Sequence, residues 1–273
     1  GMHRPTSAAQ YLYFSMNNSN TFNPTALAGR VAVVTGAAGG LGLTIVERLA
    51  AMGALLVQVD WSYPESISQV DTGYLFRCDI GQPESVHALG KFVQENLGRC
   101  DILVNNAAVS APTVPLEFFS VEHWDRVFSI NLRGALLCAQ ALVPLMFDQE
   151  AGSIVNVASI TAQAPGRIGA YGPAKAGLIG LTRQMAVEWG PRGLRANSIS
   201  PGMIRTPLSE DHYRDPAKLQ ARIARIPSRR IGLPKDIGDA IAFLASDAST
   251  YINGQDLVVD GAFLTASLSS LYV

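Results

Sequence analysis

Tyr171 and Lys175 stand four residues apart, and on a helix that spacing puts both side chains on one face within reach of a shared ligand. A free tyrosine, with a pKa of about 10, is a poor proton carrier near neutral pH. A fixed positive charge beside it makes the phenolate accessible. This pair therefore suits proton exchange with an oxygen-bearing substrate. Far upstream lies a second feature with chemical meaning, the turn Thr35-Gly36-Ala37-Ala38-Gly39-Gly40-Leu41-Gly42. It falls between the apolar run Val31–Thr35 and a helical pattern from Gly40 to Met52. In that setting Gly36 allows a tight bend, Gly40 lets backbone approach a pyrophosphate and Gly42 permits close helix–strand contact. The N–H groups and dipole of the following helix favour an anion. Asp60, at the end of the next strand and 24 residues beyond Gly36, can accept from both adenosine ribose hydroxyls and would repel a 2′-phosphate. Trp61 follows where NADP would call for an arginine. The residues point to NAD(H).

These groups need a frame, and the pattern around them supplies one. Strands are expected at Val31–Thr35, Leu55–Val59, Tyr74–Cys78, Asp101–Asn105, Ser153–Val157, Leu194–Ile199 and Leu257–Val259. Helical patterns occupy Gly40–Met52, Pro83–Leu97, Val121–Met146 (with Pro144 marking the end), Tyr171–Trp189 and Pro234–Ser246. Proline is tolerated in the first turn of a helix, so Pro83 and Pro173 are compatible with helix starts. Strands alternating with helices imply an α/β fold, a Rossmann-like doubly wound parallel sheet of about seven strands with helices on both faces. No repeat or linker divides the chain. Residues 27–273 are read as one NAD-binding catalytic domain, preceded by a flexible polar extension, residues 1–26, that carries Tyr11, Tyr13 and Phe14.

Composition narrows the partners. The 273 residues are 48% hydrophobic and 16% charged, which supports a large core. A net charge of −1 gives no field to draw nucleic acid or an anionic membrane. The longest apolar stretches are interrupted by Arg, Glu or Gly before spanning length, so no membrane association is expected. Cys78, Cys100 and Cys138 are scattered and fit reduced structural thiols in a cytoplasmic protein. The four histidines lack metal-ligand spacing, and no metal is expected.

The ordered set of motifs resembles the short-chain dehydrogenase/reductase family, from about Leu27 to Ala262. It comprises T-G-x-x-x-G-x-G at Thr35–Gly42, Asp79-Ile80, N-N-A at Asn105–Ala107, Asn131, Ser159, Y-x-x-x-K at Tyr171–Lys175 and Pro201-Gly202. The resemblance implies that Tyr171 is the acid/base, and that Lys175 holds the nicotinamide ribose and acidifies Tyr171. Ser159 would bond the substrate oxygen, and Asn131 would kink its helix and hold a water that links Lys175 to solvent. It implies that Leu41 borders the pyrophosphate, Asp79 and Ile80 the adenine, and Asn106 and Ala107 the adenosine-side ribose. Pro201, Gly202, Ile204 and Thr206 would line the nicotinamide. Association into a homotetramer, or a dimer, is implied through the long helices and the C-terminal strand region. The family pattern has glycine where this chain has Ala108 and Ala262. If Ala108 needs positive φ, alanine there costs about 1 kcal/mol.

The expected reaction is hydride transfer between NAD(H) and a secondary alcohol or ketone. Alternatives are an NADPH-dependent 3-oxoacyl-type ketoreductase and a non-catalytic dinucleotide sensor. The segment from Arg205 to Ile231 occupies the place of a substrate lid. Its arginines 205, 214, 222, 225, 229 and 230 are expected to form a solvated face beside Glu210, Asp211 and Asp215. Thr161, Gln163 and Arg167 are further polar candidates beyond Ser159, and none of these residues selects a substrate.

Overall fold

The computed structural model describes residues 23–266. Strands β1 (Val31–Thr35), β2 (Leu55–Asp60), β4 (Gly73–Arg77), β5 (Ile102–Asn105), β6 (Gly152–Val157), β7 (Leu194–Pro201) and β8 (Asp256–Val259) run parallel. With β3 (Ile67–Val70) they form one sheet in the order β3-β4-β2-β1-β5-β6-β7-β8. The chain order reverses at β1, between β2 and β5. In open parallel sheets that crevice, at the carboxyl ends of the strands, is where ligands sit.

Strand β1 is buried throughout because it lies between helices on both faces. On one face pack α1 (Leu41–Ala51) and α6 (Pro234–Ala245), through Ile45, Leu49, Ile237 and Ile241. On the other face pack α2 (Pro83–Asn96), α3 (Val121–Gln149) and α4 (Tyr171–Trp189), through Leu89, Val93, Cys138, Leu142, Met146 and Met185. A short helix, α5 (Pro216–Arg225), follows the turn Pro207–Tyr213.

The structure adds to the sequence expectations at three points. The sheet has eight strands, the eighth being β3, which pairs antiparallel with β4 at the sheet edge. Ile67-Ser68-Gln69-Val70 is short and half polar, as an edge strand with no buried face can be. Pro144 does not end α3, which continues to Gln149. Pro144 and Gln140 are both exposed, so the carbonyl deprived of its intrahelical partner lies on the solvent side. The helix ends instead at Glu150, with φ of 52°. Finally, α3 is long and apolar enough to cross a membrane by length and composition. Its apolar side is spent on the sheet, with Ala139, Leu142, Val143 and Met146 buried.

The expected boundary at residue 26 falls within the first described turn. Leu27 is fully buried, its N–H donates to the Met52 carbonyl at 2.8 Å, and Ala26 packs against the same cluster. The aromatic residues 11, 13 and 14 lie outside the described residues.

Candidate active site

The glycine turn is shaped by contacts that leave no room for side chains. A Cβ on Gly42 would stand 1.9 Å from the Gly36 carbonyl oxygen, and one on Gly36, where φ is 66°, would stand 2.8 Å from Ala107 Cα. Helix α1 thus folds back onto the turn, and the turn onto the end of β5. Thr35 Oγ1 accepts from the N–H groups of Asn106 and Ala107, both at 3.1 Å. The Asn106 amide donates to the carbonyls of Thr35 and Gly36 at 3.0 and 3.1 Å. Helix α1 begins without a side-chain cap or an acidic residue in its first turn. Its positive end is therefore uncompensated by the protein, as a pyrophosphate site requires.

Asp60 closes β2 beside this turn. Its Oδ2 accepts from Ala38 N–H at 3.1 Å, and its Oδ1 from the N–H and hydroxyl of Ser62 at 3.0 and 2.7 Å. A carboxylate has about four acceptor sites, so the protein itself engages three. The carboxylate is oriented in advance, but bonding both ribose hydroxyls would require Ser62 to yield. The charge of Asp60 and burial together push the Tyr63 phenol up to about 12, burial being the larger cause.

Ser159, at the end of β6, and Tyr171 and Lys175, on the first turns of α4, meet across the same cleft. The Lys175 ammonium is buried, donates to the Val157 carbonyl at 2.6 Å and lies 5.6 Å from the centroid of the Tyr171 ring. Burial lowers the Lys175 pKa to about 8 and raises that of Tyr171. Within the protein alone, then, desolvation disfavours both charged forms, and the expected acidification of Tyr171 by Lys175 does not emerge from these two residues.

A single cavity of about 540 Å³ joins the two ends. Gly36, Gly40, Leu41, Asp60, Asp79, Ile80, Asn106 and Ala107 line it together with Ser159, Tyr171, Lys175, Pro201, Gly202, Ile204 and Thr206. Of the residues singled out in the sequence, Gly42 and Asn131 lie behind this surface. Asn131 sits in a π-helical turn, Ser129–Arg133, inside α3. Its side-chain amide accepts from Val109 N–H at 2.8 Å and donates to the Val109 carbonyl at 2.9 Å. The expected irregularity is present as this extra-residue turn, and the side chain braces the strand-β5 loop.

Trp61, Cys78, Val109, Arg126, Ile130, Val157 and Ala158 also line the cavity and were not anticipated as site residues. Trp61, Cys78, Ile130 and Ala158 adjoin residues that were, and adjacency could have flagged them. Arg126 lies one turn before Ile130 on α3, where only the three-dimensional path of the helix brings it to the cleft. The arginines of residues 205–231 are absent from the lining and mostly engage their own segment. Arg205 forms a two-point pair with Glu210, Arg214 pairs with Asp211, and Arg230 pairs with Asp236 at the start of α6. Gln163 donates to Asp256 at 2.9 Å, away from the cleft lining. Ala108 is not among the positive-φ residues, so the conditional strain there does not arise, whereas Ala262 has φ of 71°.

Known proteins carry the same pattern. The family model described as enoyl-(acyl carrier protein) reductase matches residues 36–263. The D-threitol dehydrogenase of Mycolicibacterium smegmatis is 40% identical over 245 residues, covering 87% of this chain and 94% of that protein. The 2-(R)-hydroxypropyl-CoM dehydrogenase of Xanthobacter autotrophicus is 36% identical over 247 residues, covering 86% and 98%. Among solved structures, a gluconate 5-dehydrogenase from Burkholderia cenocepacia in complex with NADP and tartrate superposes with a TM-score of 0.80 at 30% identity, covering 89% and 98%. With the sheet order, the glycine turn and the Ser159–Tyr171–Lys175 cleft, these likenesses establish that the chain belongs to the short-chain dehydrogenase/reductase family, oxidoreductases that bind a nicotinamide dinucleotide.

Proposed function

We propose that the protein interconverts a secondary alcohol and a ketone with NAD(H), Tyr171 serving as the proton carrier. The observation that carries this reading is the one cavity lined both by the glycine turn with Asp60 and by Ser159, Tyr171 and Lys175. The crowded, uncapped turn at Gly36–Leu41 would hold the pyrophosphate, Asp60 the adenosine ribose, and Lys175 the nicotinamide ribose. When bound, the oxidised dinucleotide supplies the two-electron acceptor and a positive ring near the phenol. Tyr171 takes the proton of the alcohol at its phenolic oxygen in oxidation and returns it in reduction. Lys175 spends one of its three donors on Val157, which fixes the ammonium and leaves two for ligand and phenol. Ser159 bonds the substrate oxygen, and the walls of the cleft exclude water while these groups act.

The preference for NAD rests on Asp60, and the solved NADP complex favours a second reading in which this chain uses NADP. Against it, neither Gly36–Gly42 nor Asp60–Tyr63 contains a lysine or arginine. Secondary alcohols, sugars and hydroxy acids, D-threitol among them, should reduce NAD faster than NADP when followed by nicotinamide absorbance. Tighter binding of NADPH than NADH would reject the choice of cofactor. Asp60→Asn should raise NADP use relative to NAD; an unchanged ratio would show that the carboxylate does not select the cofactor. Tyr171→Phe should leave dinucleotide affinity unchanged and lower turnover by about 10²–10⁴-fold, and substantial residual activity would reject its role.

The same reading extends to the assembly and the compartment. A homotetramer, or a dimer, through α3 and α4 is supported by a groove lined by Phe128, Leu132, Leu136 and Leu181, which sedimentation velocity would check. A cytoplasmic location is supported by three unpaired, buried thiols, Cys78, Cys100 and Cys138.

A further inference from the structure

Ser159 leaves β6 in extended conformation, with φ of −170°, and opens the short turn Ile160–Ala162. Two donors converge on its hydroxyl oxygen. Thr161 N–H approaches at 3.2 Å and Thr161 Oγ1 at 2.9 Å. A serine hydroxyl has two acceptor lone pairs and one proton to give. The backbone N–H can only donate. The Thr161 hydroxyl stands as the second donor to the same oxygen. Both lone pairs of Ser159 are then engaged, and its own proton is left to face the cavity that Ser159 lines.

We propose that Thr161 is a positioning residue that makes Ser159 an obligate hydrogen-bond donor to the substrate oxygen. The inference rests on the alcohol–ketone reading above and divides the labour within it. Ser159 donates in both directions of reaction, and Tyr171 is the group that alternates between giving and accepting a proton. A chain running from the Thr161 hydroxyl through the Ser159 hydroxyl to the substrate oxygen is polarised in one sense, which strengthens its last bond as negative charge develops on that oxygen.

The turn is held so that Thr161 keeps this position. Its carbonyl oxygen lies 3.0 Å from where a Cβ of Gly172 would be, directly after Tyr171. Ala162 N–H donates to the Ser159 carbonyl at 3.0 Å. Gln163 is tied to Asp256, whose carboxylate also accepts from the hydroxyls of Ser198 and Ser200. Thr161 is thus fixed from the helix side and from the sheet side.

The experiment compares Thr161→Val, Thr161→Ser, Ser159→Ala and the double variant Ser159→Ala/Thr161→Val, using the alcohol that turns over fastest in the screen. Thr161→Val should lower kcat about tenfold, the rate equivalent of one hydrogen bond, with KM changed less than about twofold. Thr161→Ser should restore the rate. In the Ser159→Ala background the valine should have no further effect. An equal loss in that background, or a serine variant as slow as the valine, overturns the proposal. A readout free of turnover uses acetone labelled with carbon-13 at its carbonyl, added to the protein saturated with NAD. Donation from Ser159 moves the carbonyl resonance downfield, and this shift should shrink alike in Thr161→Val and Ser159→Ala. No shift in the unmodified protein, or a Thr161→Val shift equal to it, also overturns the proposal. If no alcohol is oxidised at all, the functional reading fails while the carbonyl resonance still decides the role of Thr161.

Discussion

Lys175 heads the fully buried side chains by volume, and burial lowers its pKa to about 8 from an ordinary 10.5. Folding therefore favours its neutral form, and the sign of the pH dependence follows. Between about 8 and about 10.5 the unfolded chain binds more protons at this site than the folded one, so stability rises with pH across that window. Below about 8 the penalty is complete and constant. Urea midpoints of the wild type should accordingly gain on those of Lys175→Met as pH rises through the window. A difference that stays flat would mean the ammonium is not desolvated as described. At this scale the chemistry was readable in the sequence wherever spacing along one element sets geometry, as with Tyr171 and Lys175 on one helical face. It was not readable where a neighbour takes up hydrogen-bonding capacity. Nothing in the order of residues tells that Ser62 occupies Oδ1 of Asp60, or that Thr161 saturates Ser159.

The β1–α1 turn argues the same point for elements. Gly36, Gly40 and Gly42 were expected to act separately, whereas Gly36 and Gly42 touch one another and Gly36 touches Ala107. Gly42→Ala would drive its Cβ into the backbone carbonyl of Gly36, and no rotamer change relieves a backbone contact. We expect dinucleotide affinity to fall more than about 100-fold, with a lower melting temperature, because a displacement of about 1 Å can cost that much. Gly180→Ala, on α4 and outside the cavity lining, is the control, as its Cβ would meet nothing within 4 Å. Calorimetric titration with NAD checks both; comparable losses would refute the packing argument. Elements with continuous apolar runs, such as β1 and β5, were legible because burial on both faces leaves no other pattern. Strand β3 was not, since an edge strand of alternating exposure needs few apolar residues. Pro144 misled because proline stops a helix only where the lost bond cannot be replaced, and here the carbonyl of Gln140 lies on the exposed side.

For the molecule as a whole, the C-terminal end of the sheet is where two departures from the family pattern can be weighed. Ala108 has ordinary backbone angles, but Ala262 adopts a left-handed conformation, with its N–H held by Asp260 at 2.8 Å. A non-glycine residue there costs about 1–2 kcal/mol, offset in part by the larger chain entropy that glycine loses on folding. Ala262→Gly should therefore stabilise the protein by about 1 kcal/mol, a rise in Tm of about 2–4 °C for a chain of this size. A melting temperature that falls would show that the alanine methyl makes a compensating contact.

The segment beyond Thr206 supplies most of a small apolar nucleus. Tyr213, Ile226 and Ile231 are buried there with Met203, Leu219, Ile223 and Phe263, a cluster separate from those on the two faces of the sheet. Its ion pairs are likewise mostly internal. A unit that carries most of its own interior can be exchanged with little disturbance of the foundations beneath it. Taste for one alcohol or another could then be rewritten by grafting a foreign stretch across Pro207–Ile231, which leaves Thr206 at the cavity and the grip on the dinucleotide with the host.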